Sequence, residues 1–81
     1  MGRKKLFWIL IWSENGMYVA YEPSTCVASQ GETIDEALEN LREALKLYLE
    51  ESRGVPQCKE TPLEVPKKVM ITMIAVETPE S

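Results

Sequence analysis

Eighty-one residues make a single domain, and a chain this short buries only about 60–65% of its unfolded surface. With 44% hydrophobic residues it is a folded domain rather than a disordered one, and that much apolar material in a small core implies burial against another chain. Nine basic against thirteen acidic residues, net −4, disfavour direct nucleic-acid binding and leave a basic protein partner open.

The chain starts MGRKK, followed by an apolar run at residues 6–12. Seven residues fall far short of the about 20 that span a membrane, and no small-residue cleavage site follows. Leu6 stands where N-myristoylation after Gly2 wants Ser or Thr. The expected location is cytoplasmic. Cys26 and Cys58 show no CxxC spacing and read as free thiols in a reducing compartment, with a disulfide as the alternative.

Residues 5–13 are β-branched and aromatic on both faces, which predicts a first strand that is fully buried or covered on one side by a neighbouring subunit. Asn15-Gly16 predicts a type I′ hairpin turn, because both central residues must take positive φ. A second strand at 17–21 returns antiparallel, and Pro23 breaks it. A short third strand is expected at 26–30. Residues 33–52 read as one amphipathic helix, with Ile34, Ala37, Leu38, Leu41, Ala44, Leu45, Tyr48 and Leu49 forming its apolar stripe. Thr33 is a good N-cap and Glu36 completes a capping box; Gly54 and Pro56 end the helix. A proline-bearing connector spans 54–68, a last strand 69–76 is again apolar on both faces, and residues 77–81 read as a frayed tail.

The order β-β-β-α-β gives an α+β two-layer sandwich covering residues 1–81. One helix covers one face of the sheet, so the other apolar face predicts a homodimer or higher homo-oligomer.

The chain has no histidine, which removes the commonest general base and metal ligand, and no phosphate-cradling or zinc spacing. Carboxylates remain, but the strands lack them: Glu14 and Glu22 flank the second strand and the rest lie on the helix or in the tails. The sequence therefore reads as that of a non-enzyme with no cofactor and no metal. Arg3-Lys4-Lys5 and Lys67-Lys68 each precede a strand taken as outer, where they could form one basic patch beside Trp8 and Trp12 for RNA stacking. Core or interface packing with positive flanks is the plainer account. On the outer side of the helix Glu36, Glu39, Glu43 and Glu50 surround Leu47 in an arrangement suited to a protein contact, against the simpler account of a solvated surface.

Gly16, Tyr18, Val19, Ala20 and Pro23, followed by Gly31, Thr33, Glu36, Ala37 and Asn40, resemble the HicB family of antitoxins. The pattern runs on through Ala44 and Tyr48-Leu49 and covers about the middle half of the chain; its Gly31-to-Asn40 segment is the specific part. The resemblance implies a degenerate ribonuclease-H-like fold without the nuclease acids. It also implies pairing with a small basic mRNA-cutting toxin of the HicA type. Two departures stand out. The sequence ends after the last strand, where many family members carry a DNA-binding domain, so operator repression is not expected. Thr25 also replaces the glycine that often precedes the cysteine. The competing expectation is a stand-alone oligomeric nucleic-acid-binding or accessory domain with no toxin partner.

Overall fold

A computed structural model describes residues 3–52 and 66–78. The expected connector falls largely at 53–65, and Cys58 with it, outside the described residues. Four strands and one helix follow the expected order: β1 (Arg3–Glu14), β2 (Met17–Glu22), β3 (Val27–Gly31), α1 (Ile34–Ser52) and β4 (Met70–Thr78). The strands form one antiparallel sheet in the order β3-β2-β1-β4. The protein is thus an α+β fold of one sheet and one helix.

Asn15 and Gly16 take φ of 53° and 80°, as a type I′ turn needs, and close the hairpin in which Glu14 faces Met17. That register puts Phe7, Ile9 and Ile11 on the helix side with Ala20, Ile74 and Val76, all buried. From the helix comes the i, i+4 ridge Ala37, Leu41, Leu45 and Leu49, with Ile34, Leu38 and Tyr48 packed beside it. Each fully buried leucine of this ridge contributes about 1.5–3 kcal/mol of transfer free energy.

Three expectations need correction. β1 is an inner strand, since β4 pairs with it from Arg3↔Thr78 to Ile11↔Met70. Arg3, Lys4 and Lys5 therefore lie within the ladder instead of preceding it, and β4 extends through Glu77 and Thr78, which were expected to fray. The antiparallel pairing also separates the basic runs. Lys5 faces Val76 while Lys68 precedes Met70 at the other end, roughly 25 Å away at about 3.3 Å per residue. A single basic patch is not formed. Lastly, Cys26 sits before β3 with a φ of 61° and is disulfide-bonded, not a free thiol. Spacing along the chain carries no information on how sulfurs approach in space, and the turn after β2 sets the position of this one.

Candidate interaction surfaces

The Gly31-to-Asn40 segment builds the corner where β3 turns into the helix. Gly31 lies so close to the helix that an added Cβ would stand 2.6 Å from the Ala37 backbone nitrogen and 2.9 Å from the Glu36 carbonyl carbon. The Thr33 hydroxyl accepts the Glu36 N–H at 3.0 Å, and the Thr33 carbonyl accepts that of Ala37 at 3.0 Å. The Glu36 carboxylate reaches back to accept the Glu32 N–H at 2.7 Å, one residue earlier than a standard capping box. Asn40 then donates from Nδ2 to the Gln30 carbonyl at 2.9 Å, tying the second helical turn to β3. Tyr18 packs against the core from the facing strand, and Pro23 lies exposed in the turn after β2.

On the outer side of the helix Glu39, Glu43, Lys46 and Glu50 are exposed, and Leu47 among them is 58% exposed. Glu36 is exposed as well, but its carboxylate is engaged at the cap. The structure brings Glu39, Glu43, Leu47 and Glu50 together on one face and leaves Glu36 serving the helix start.

The other side of the sheet is divided. Trp8 and Trp12 do share this face, but Trp12 is buried against Tyr21, ring centroids 6.4 Å apart, while Trp8 is 59% exposed. Around Trp8 lie Leu6, Ile71 and Met73, at 63%, 61% and 40% exposure. The open apolar area thus belongs to the β1–β4 half of the sheet, and the β2 side is closed over. A stacking platform using both tryptophans is not available, because Trp12 is covered.

The sequence reading missed the turn after β2. Glu22 is buried, and its carboxylate accepts N–H and hydroxyl hydrogen bonds from both Ser24 and Thr25 at 2.7–3.0 Å. Thr25, also buried, accepts the Val27 N–H at 3.3 Å and so passes the turn on to β3. A carboxylate followed two and three residues later by Ser and Thr was the available signal, since such side chains bond local backbone groups at turns. Burial pushes the Tyr21 phenol above its ordinary value of 10.0, and the charge of Glu22 acts in the same direction. The phenol donates to Cys26 Sγ at 3.3 Å. The strands do carry acids, contrary to expectation: Glu14 ends β1, Glu22 ends β2 and Glu77 lies in β4. Glu14 accepts the Trp12 indole N–H at 3.2 Å, so the first two carboxylates are occupied structurally.

Among the described residues no group of three or more His, Cys, Asp or Glu side chains could hold a metal ion. Nor is any helix among them long and apolar enough to cross a membrane.

A family model described as a family of unknown function, DUF7387, matches residues 5–69. The UPF0150 protein ssr1258 of Synechocystis sp. is 46% identical over 50 residues, which cover 59% of this chain and 72% of that protein. No solved structure matches this chain.

Proposed function

We propose, for a chain that belongs to the DUF7387 family of unknown function, an antitoxin-like role: binding and neutralising a small basic mRNA-cutting toxin of the HicA type. The observation that carries the reading is the outer helix face, where Glu39, Glu43 and Glu50 surround the exposed Leu47. A toxin's RNA-binding surface is positive, so acidic side chains would steer its approach and one desolvated leucine would anchor it. The charges govern association rate and salt sensitivity, and Leu47 governs residence time. The HicB-like motif supports this reading, and with it a degenerate ribonuclease-H-like fold and a cytoplasmic location. A reducing cytoplasm would have to leave the Cys26 disulfide intact for that location to hold.

The reading is of a binding protein without catalysis. Glu14 and Glu22, the last residues of β1 and β2, are tied to Trp12, Ser24 and Thr25. Incubation with RNA or DNA and Mg²⁺ or Mn²⁺ should leave the substrate intact; cleavage abolished by Glu22→Gln would overturn this. The competing reading, a stand-alone nucleic-acid-binding domain, is weakened by the separated basic runs and the buried Trp12.

The functional test is co-expression with the adjacent basic reading frame, scoring growth and co-purification for wild type, Leu47→Asp and a Glu39/Glu43 charge reversal. Loss of rescue in folded variants supports the helix face. Unchanged rescue in both moves the contact to the sheet. A wild type that forms no complex removes the antitoxin role.

A further inference from the structure

The two edges of the sheet are built differently. β3 is five residues long, carries Ser29 and Gln30, and lies under the helix corner tied by Asn40. β4 is nine residues long, and from Met70 to Val76 it has no charge, no proline and one polar side chain, Thr72. Natural edge strands are blunted by lysines, prolines, bulges or shortness, because unpaired backbone groups otherwise recruit another strand. From Met70 to Val76 β4 has none of these devices. The apolar side chains Ile71 and Met73 stand exposed on it, next to Trp8.

We propose that the β4 edge is the interface for a second copy of this chain, joined antiparallel about a two-fold axis at Thr72 into one continuous eight-stranded sheet. The proposal deepens the expected homo-oligomer and rests on no toxin partner. A two-fold that pairs equivalent edges antiparallel stands perpendicular to the sheet. Open-face residues then meet open-face residues, and both helices lie on the same side. This parity allows the axis at a residue but not between residues, since a half-step would set helix-side positions against open-side ones.

Charge selects among the allowed positions. With Thr72 on the axis, Met70 to Ile74 of the two copies pair, and Glu77 of each copy comes opposite the segment that leads into the other's β4, which carries Lys67 and Lys68. Lys67 and Glu77 are both exposed and free to meet there. Moving the axis to Met73 sets Glu77 against Val69 instead. The same register lets the two Thr72 hydroxyls face each other on the helix side, where a cross-strand Thr pair can hydrogen-bond. It sets Ile71 against Met73 twice over, with Trp8 flanking each pair, so the exposed patches of the two copies merge across the axis. An acid near the end of the strand and bases before its start make the edge complementary to itself in an antiparallel homodimer, which favours a second copy over an unrelated strand.

The test is disulfide trapping of the full chain under mild oxidation, read on non-reducing gels against wild type. Directly opposed residues have Cα atoms about 4.5–5.5 Å apart, within disulfide reach. Thr72→Cys should therefore cross-link into a dimer at least about tenfold faster than Met73→Cys or Trp8→Cys. Independently, Lys67→Glu should weaken the dimer about fivefold at low salt, and adding Glu77→Lys should restore it, as expected for opposed charges. This charge swap does not depend on the cysteine variant folding. A wild type that scatters light as a monomer at high micromolar concentration overturns both the proposal and the oligomeric reading. A dimer in which Trp8→Cys traps and Thr72→Cys does not overturns the edge interface alone and moves the contact to the open face.

Discussion

Replacing Gly31 with alanine adds one methyl group, and the structure says where it goes. The new Cβ would sit 2.6 Å from the Ala37 nitrogen and 2.9 Å from Glu36 atoms, and two of these three close contacts are backbone. Backbone in the first turn of a helix cannot yield as a side-chain tip can, so β3 or the helix start has to move. Overpacking of this kind costs about 1–3 kcal/mol. Alanine stiffens the unfolded chain relative to glycine, which returns about 0.4–1 kcal/mol. Taking the middle of each range, the net expectation is a loss of about 1.3 kcal/mol. At about 4–8 °C per kcal/mol for a domain of this size, that lowers the melting temperature by roughly 5–10 °C. Displacing the helix start also loosens the Asn40 hydrogen bond to Gln30. Thermal melts followed at 222 nm, beside a Gly16→Ala control, measure the effect. Gly16 has open space around it but a φ of +80°, so its cost comes from backbone conformation alone, about 1–2 kcal/mol. Gly31→Ala melting within about 1 °C of wild type would refute the close approach of β3 and the helix.

Thr33→Ala removes the hydroxyl that accepts the Glu36 N–H and should cost about 1 kcal/mol; an unchanged melting temperature would misplace the helix start. Leu45→Ala empties the middle of the buried ridge and should cost about 2–5 kcal/mol in urea denaturation, whereas Leu47→Ala should stay within about 0.5 kcal/mol. Tyr21 has a raised folded-state pKa, so its contribution is full below pH 10.0 and is lost as pH rises through the folded value. Urea midpoints of wild type should fall between pH 9 and 11 more steeply than those of Tyr21→Phe; parallel curves would dismiss the effect.

Features set by local chemistry were legible in the sequence. Asn15-Gly16 gave the hairpin and its register, and Thr33 with Glu36 gave the helix start within one residue. The apolar period gave the ridge from Ala37 to Leu49. What the sequence hid was partnership between distant segments. A strand apolar on both faces, such as β1, is consistent with an inner position, but nothing in residues 3–14 says that β4 lies beside it. The basic runs were joined into one patch for the same reason, since their separation depends on strand direction. Even spacing put Trp8 and Trp12 on one face, yet which of them is covered depends on the neighbouring strand, where Tyr21 packs against Trp12. On the helix, Glu39, Glu43, Leu47 and Glu50 were readable as a shared face. That Glu36 spends its carboxylate at the cap follows from the same capping signal, whose consequence for the contact surface was there to be drawn.

The β1–β4 ladder joins residues far apart along the chain, Arg3 facing Thr78. On the ribosome this pairing cannot begin until β4 has been synthesised. The hairpin, β3 and the helix can assemble early, but one long side of β1 must wait. During that interval the helix-side residues Phe7 and Ile9 lack the cover that Ile74 and Val76 later supply. Contacts this far apart in sequence close slowly, because the loop entropy is lost before they form. Until then β1 is the open edge of a three-stranded sheet, the arrangement most exposed to aggregation and to proteases.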